Sequence, residues 1–272
     1  MSRFGVNITF FSHGREWIRL GYSEKVVFGG RATGQTGETT GGDDDLIDWL
    51  TEQAILYWDI LKYLIPAVPY TVLITVCSFA LALVLGLVIG VLRISRSRPV
   101  AAAAGMYINI IRGVPLLVQI FFIYFGLGSV CNLDRFTAGV VAVGICYSAY
   151  LAEIFRSGID AISQGQYEAA QSLGMTRFQA LRHVIIPQSF RIVIPPVANE
   201  FIASLKDSSL VSIIGMRELT RAGREYYSQY FVDFQTWLLV GAIYLIMTMS
   251  LSRLVKYLER VYAVAGYGSR QG

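Results

Sequence analysis

From Tyr63 onward, long uncharged stretches alternate with short polar and basic ones, and this segmentation sets the predicted architecture. A bilayer core of about 30 Å takes roughly 20 apolar residues in a helix, because hydrocarbon leaves no partner for an exposed backbone. Tyr63 to Leu92 carries no charge, and Pro66 with Pro69 marks the start of a first span, since proline fits the first helical turn. Val100 to Leu133 contains one charge, Arg112, followed by Gly113 and Pro115. That pattern predicts either one long helix with a perturbed entry or two abutting segments. Phe136 to Ala152 forms a third span that closes on Glu153 and Arg156, and Phe234 to Ser252 forms the last. Between them, Val184 to Leu205 is interrupted by Arg191, Pro195, Pro196 and Glu200, so a fourth span there must face protein or water. The expectation is an all-α polytopic membrane protein of about five spans.

Residues ahead of Tyr63 differ in texture. Gly29 to Asp45 is rich in Gly, Thr and acidic residues and reads as a loop, whereas Leu46, Trp49, Leu50, Trp58 and Leu61 mixed with Asp48, Glu52, Asp59 and Lys62 suit an amphipathic helix at the interface. A soluble helix packed on the outer loops fits the same pattern. Ile8 to Phe11 is too short an apolar run for a cleavable signal, so insertion is expected to rely on the later segments. Composition agrees with a membrane chain: 54% of residues are hydrophobic and 15% charged, against about 25% charged in soluble domains. The net charge of +4 is too small to indicate a nucleic-acid partner. Cys77, Cys131 and Cys146 lie in or beside apolar runs and read as small buried hydrophobes rather than a disulfide or zinc set. With five spans, the inner segments collect Arg93, Arg96, Arg98, Arg112, Arg156, Arg177, Arg182, Arg191, Arg253, Lys256, Arg260 and Arg270, while the short loops on the other side hold Arg135, Arg217, Arg221 and Arg224. The positive-inside rule then places the amino end outside and the carboxyl end in the cytoplasm.

Two sets of polar residues are candidates for function. Gln166 to Pro187 is helical in texture and lies inside: Glu168, Ala169 and Ala170 open a helix, with the acid suited to the positive end of its dipole, and Gly174 permits a break before a second helix. Such a helix-turn-helix can dock into a partner or fold on itself as a cytoplasmic loop. The second set is intramembrane, where a charge at mid-helix costs about 2.5–3.5 kcal/mol and so marks function by default. Gln119, Glu153, Asn199, Glu200, Lys206, Asp207, Ser208 and Ser209 qualify, and a backbone that gives out near Lys206 at mid-membrane would expose helix-end dipoles to a zwitterion. Against this, Glu153 can simply pair with Arg156 one turn on, and Lys206 can neutralise Asp207 or Glu200. His183 has no second histidine near it in sequence and reads as a polar contact of that helix-turn-helix segment rather than a metal ligand. Met216 to Arg224 reads as a solvated outer helix with internal ion pairs; the sharper alternative is a gate or a landing surface for a binding protein. No nucleophile–base set and no phosphate-binding G-x-x-x-x-G-K-[ST] loop occurs. Gly86 to Gly90 and Gly139 to Gly144 read as close helix packing through small residues.

The segment after the third span resembles the signature of ABC importer permeases. Glu168-Ala169-Ala170 is followed after three residues by Gly174 and after nine more by Val184-Ile185-Ile186-Pro187, with Val184 and Ile186 departing from the pattern's Ile and Leu. Arg112-Gly113-Val114-Pro115-Leu116-Leu117-Val118-Gln119, Ser148 to Glu153 with Arg156 to Ile159, and Lys206 to Leu210 look like the polar amino-acid permease subfamily. The resemblance runs from about Pro66 to Val261. It implies a type I importer transmembrane domain over residues 63–262, beside an extracytoplasmic extension at 1–62 that inherits nothing from it and a cytoplasmic tail at 263–272. It also implies a plasma-membrane permease that translocates a polar or charged amino acid by alternating access, with Tyr167, Glu168, Ala169, Ala170, Leu173, Gly174 and Arg177 contacting an ATP-binding subunit. Implied partners are that subunit, which binds ATP and Mg2+, a second permease subunit, an extracytoplasmic binding protein and the bilayer; the permease itself needs no cofactor. An ion-coupled secondary transporter is the alternative, with Glu153 and Glu200 as its acids.

Overall fold

The computed structural model describes residues 42–262, which form helices and turns with no strand among them. Residues 1–41, with most of the expected Gly29 to Asp45 loop, and the 263–272 tail lie outside them; the last four residues of that loop, Gly42 to Asp45, are helical, because the helix starts earlier than expected. Helix α1 (Gly42–Leu64) is the helix expected before Tyr63. It leads through a 3-10 turn at Ile65–Ala67 into α2 (Val68–Arg93), with Pro66 and Pro69 each in a first-turn position. Together they make one continuous helical stretch, Leu46–Arg93, of 48 residues that contains an apolar window, so the first span is not a separate element from the amphipathic segment.

The second span is two helices, α3 (Arg98–Gly113) and α4 (Leu116–Phe121), the latter continued by a π-helical stretch at Phe122–Leu127. The axes on the two sides of Val114-Pro115 differ by 101°. Pro115 is the N-cap of α4 and has no N–H to continue α3, so the chain turns there. A short α5 (Gly128–Cys131) leaves Cys131 exposed, against the expectation that all three cysteines are buried. Helix α6 (Arg135–Asp160) is the third span, longer than Phe136 to Ala152 by two turns at its end. The hairpin α7 (Gln164–Ser172) and α8 (Arg177–Ala180) follows, then α9 (Ile186–Asp207), a 3-10 stretch at Ser208–Ile214, α10 (Leu219–Tyr230) and α11 (Asp233–Tyr262).

Among the described residues, three helices are long and apolar enough to cross a membrane, four if the bent pair is one span. The count of five is reached only by adding α9, 22 residues long but carrying Arg191, Glu200, Pro195 and Pro196.

Small residues set the packing. Helices α2 and α6 form the most extensive contact, and a Cβ on Gly86 would lie 2.8 Å from Leu151 Cβ, one on Gly144 2.8 Å from Leu81 and one on Gly139 3.0 Å from Ile74. The close packing expected of these glycines is therefore present. The pairs 74–139, 81–144 and 86–151 advance together, so α2 and α6 run in the same direction and the bent pair must carry the chain back between them. Gly158 against Val193 and Tyr147 against Asp207 show that α9 runs opposite to α6. The core between them holds Ile74, Phe79, Ile120, Val143, Leu151 and Val211, and a second cluster of Ile60, Leu64, Leu219, Tyr226 and Val240 joins α1, α10 and α11.

Candidate functional site

Two cavities, of about 450 and 420 Å3, meet at Arg112, Tyr150 and Glu200. The first is walled by the turn Gly113–Leu116, by Cys146 and Tyr147 of α6, and by Asp207 at the end of α9. The second continues along Glu153, Ser157, Val193 and Pro196 toward the hairpin end of α6. The path therefore runs between the α3–α4 bend and the α6–α9 pair.

The bend is built by Gln119. Its Nε2 donates to Ile111 O and to Val114 O, each at 2.8 Å, which satisfies carbonyls that α3 leaves open at its end. Gln119 is buried, lines neither cavity, and leaves its Oε1 without a hydrogen-bond partner. It builds the turn from behind the cavity wall, and the substrate-facing place expected for it has no counterpart in the lining of either cavity. Arg112, whose position that turn fixes, lies 5.1 Å over the Tyr150 ring, so a cation and an aromatic face share the junction of the two cavities.

Asp207 accepts a hydrogen bond from the Tyr147 hydroxyl at 2.8 Å. Tyr147 is midway along α6, so α9 gives way to the 3-10 stretch level with the middle of that helix. Lys206 is exposed and lines neither cavity, and it makes no ion pair with Asp207 or Glu200 among the described residues. The successive residues of a helix point about 100° apart, which turns Lys206 away when Asp207 faces α6. Asn199 is likewise exposed and off the path. Ser208 is buried and donates to Leu205 O at 2.8 Å, which closes its own helix end; Ser209 is half-buried and lines neither cavity. Glu153 lines the second cavity but is held by Arg156 through Nε at 3.1 Å and Nη2 at 2.5 Å, the bland pairing foreseen for it. Arg112, Tyr147 and Tyr150 were not foreseen as site residues. The lone charge at Arg112 and the tyrosines three apart on a face that ends near Asp207 were the available signals.

The hairpin is self-supporting. Gly174 adopts φ +79°, and its N–H and that of Met175 donate to Gln171 O and Ala170 O, which ends α7 in a left-handed turn. Thr176 and Gln179 form a reciprocal capping box that starts α8. Glu168 sits in the second turn of α7, which begins at Gln164, so its carboxylate does not serve the dipole at the first turn. Leu173 is 80% and Phe178 69% exposed, two large apolar side chains presented outward. Glu168, Ala169, Gly174 and Arg177 are exposed and Tyr167 is half-buried, but Ala170 is buried inside the hairpin and is not available to a partner as expected. His183 makes its contact locally, to Gln179 O at 3.0 Å.

At the opposite end, Asp134 caps α6, accepting from the N–H groups of Phe136 and Thr137; the Thr137 hydroxyl foremost holds its carboxyl below the usual carboxylate range. Glu218, expected in a solvated helix, is fully buried as the N-cap of α10. It accepts from Arg221 N and from the Tyr244 hydroxyl, each at 2.8 Å, and burial pushes its carboxyl up.

Residues 82–263 match the family described as the binding-protein-dependent transport system inner membrane component. The chain is 39% identical over 206 residues to the glutamine transport system permease protein GlnP of Escherichia coli K12, covering 75% of this chain and 94% of that one. It is 40% identical over 192 residues to the probable glutamine ABC transporter permease protein GlnM of Bacillus subtilis 168, covering 70% of this chain and 89% of that one. A crystal structure of an amino acid ABC transporter with histidines superposes with a TM-score of 0.72 at 40% identity, over 76% of this chain and 97% of its counterpart.

Proposed function

The chain belongs to the family of binding-protein-dependent transport system inner membrane components, and from that membership we propose that it is the permease subunit of an ATP-driven importer for a polar or charged amino acid. The observation that carries this reading is the path itself: one cation, Arg112, and two carboxylates, Glu200 and Asp207, around a junction lined by tyrosines. An α-carboxylate pairs with the Arg112 guanidinium, and an ammonium or amide N–H is received by Glu200 and Asp207, each group replacing water lost on entry. Residues 63–262 form the translocating domain.

Energy enters at the hairpin. Helices α7 and α8 connect α6 to α9, the two helices that wall the path, so a displacement of the hairpin moves both walls together. A separate ATP-hydrolysing subunit, holding ATP and Mg2+, grips the hairpin through Leu173, Phe178 and the Gly174 turn. Its cycle shifts the population between outward-open and inward-open forms. The hairpin and the end of α11 then face the cytoplasm, the start of α2 faces outside, and a second permease subunit and an extracytoplasmic binding protein complete the assembly.

The test is reconstitution. Purified complex in vesicles, with Leu173→Cys on the hairpin, is expected to crosslink to the ATPase subunit, and uptake is expected to require ATP. Arg112→Gln and Asp207→Asn are expected to reduce uptake at least ten-fold while the complex remains assembled. Uptake driven by an ion gradient with the ATPase subunit omitted would establish the secondary transporter instead.

A further inference from the structure

We propose that the exposed face of α10 is the surface on which the extracytoplasmic binding protein docks, its carboxylates received by Arg217, Arg221 and Arg224. The inference rests on the importer reading above and deepens it by assigning the partner a place and a chemistry.

Position comes first. Arg135 at the start of α6 approaches Gly215 O at 3.5 Å, and Leu219 N donates to Thr71 Oγ1 near the start of α2 at 3.0 Å. Both contacts place α10 at the end of the molecule opposite the hairpin. A partner that delivers substrate must act at that end.

The helix is two-faced in a way that suits a soluble protein. Leu219, Ala222, Gly223 and Tyr226 form its buried side. Gly223 lies so near α11 that a Cβ there would come within 2.7 Å of Val240. At 100° per residue, Arg221, Arg224 and Glu225 fall within about one third of the circumference, on the side away from that seam; Arg217, just ahead of the Glu218 cap, is exposed and joins them through its ion pair with Glu225. A basic helix that lies in lipid keeps its apolar face free for the acyl chains. Here the apolar face is spent on α1 and α11, and the charges are turned to water.

Charge and rigidity complete the argument. Glu225 accepts from Arg221 Nε at 2.9 Å and forms an ion pair with Arg217 Nε at 3.3 Å, while the Arg217 guanidinium also lies 5.9 Å over the Tyr63 ring, so both arginines are held in place. Arg224 is exposed and makes no ion pair among the described residues. The face is therefore net positive and carries forked donors matched to carboxylates. It does not flex freely, because Glu218 caps α10, Tyr244 of α11 donates to Glu218, and Thr220 hydrogen-bonds Tyr244 at 3.0 Å. A pinned, arginine-rich surface loses little entropy on docking and is the kind that supplies binding hot spots.

The experiment uses the intact transporter complex in nanodiscs and the binding protein of the same system, loaded with substrate. The wild-type complex is expected to bind it with a Kd that rises with salt and to respond with faster ATP hydrolysis. Arg224→Glu is expected to raise the Kd and the half-stimulating concentration about ten-fold and to flatten the salt dependence. The triple variant R217E/R221E/R224E is expected to abolish the response, with an unfolding temperature near that of the wild type as the control for folding. A carboxylate-to-lysine change in the binding protein is expected to restore affinity for Arg224→Glu. An unchanged Kd in both variants overturns the docking surface while the importer reading stands on the wild-type response. A defect that appears only in discs containing anionic lipid overturns it in favour of headgroup binding. A wild-type complex that no binding protein stimulates overturns this inference and the importer reading together.

Discussion

The Tyr147 hydroxyl donates to the Asp207 carboxylate at 2.8 Å, which ties the middle of α6 to the point where α9 gives out. The bond has two consequences: it fixes the cavity wall, and it leaves the other oxygen of Asp207 for a substrate. Tyr147→Phe removes the donor and keeps the ring, so the expected cost is about 1–3 kcal/mol for a half-buried carboxylate left short of a partner. Uptake at low substrate concentration is expected to fall more than the maximal rate. Parallel uptake curves and thermal unfolding of the purified complex check both.

Close approach between α2 and α6 leaves Gly86 no room to grow. An added Cβ would stand 2.8 Å from Leu151 Cβ and 3.0 Å from Ser148 O, the second a backbone atom that cannot rotate away. Gly86→Ala is expected to lose about 1–3 kcal/mol through helix displacement. Gly241→Ala is the control: it lies in α11 with nothing within 4 Å of the added Cβ, and alanine there favours the helix by up to about 1 kcal/mol. Expression level and unfolding temperature separate the two variants.

How far such features were legible in the sequence depends on whether they are local. The spans from Tyr63 to Leu92 and from Phe136 to Ala152, the break at Gly113-Pro115 and the turn at Gly174 all follow from charge, proline and glycine in a short window, and the structure has them. Adjacent Lys206 is the partner that sequence proximity suggests for Asp207, whereas its partner in the fold is Tyr147, sixty residues away. Gln119 looked like a substrate residue because a buried amide in an apolar span is unusual; that it closes the end of α3 instead depends on a 101° bend whose size no residue announces. Glu218 fell in a run of charges that suggested solvent, and only its seat beneath α10 explains its burial. Pairing across helices is settled by packing, which one sequence does not encode in any single window.

Glu153 illustrates the same distinction between a residue in the path and a residue that reads the substrate. Both its oxygens accept from Arg156, which also pairs with Asp160 at 2.5 Å, and the Glu153 and Arg156 side chains are about one third exposed. Glu153→Gln leaves Arg156 its Asp160 partner, so stability is expected to change by less than about 1 kcal/mol. Uptake of neutral and basic amino acids is expected to fall by the same small factor. A loss confined to basic substrates would instead give Glu153 a direct contact.

Burial of Glu218 gives the complex a pH dependence. Because burial raises its carboxyl above the ordinary value near 4.5, the folded state prefers the protonated form. Its contribution is fully present below that ordinary value and is lost as pH rises through the raised one. Unfolding temperature in the wild type is expected to decline over that interval from this group. In Glu218→Gln, where the amide keeps hydrogen bonds within reach of Tyr244 and Arg221 N, the slope is expected to flatten. Thermal unfolding of both proteins from pH 4 upward checks the sign.

The last prediction concerns the Gly174 turn, where space and conformation give opposite answers. Nothing lies within 4 Å of an added Cβ, so bulk alone would be tolerated, yet φ is +79°. An L-residue with a Cβ pays about 1–2 kcal/mol in that left-handed region, while asparagine adopts it more readily than alanine. Gly174→Ala is therefore expected to loosen the turn that presents Leu173 and orients α8, without touching the spans. The protein should reach the membrane in normal amount and the cavity should be unaltered, but the ratio of substrate imported to ATP hydrolysed should fall several-fold. Gly174→Asn should recover part of that ratio. If alanine and asparagine are equally harmful, side-chain bulk against the ATPase subunit is the cause, and the turn conformation is not what couples the motor to the path.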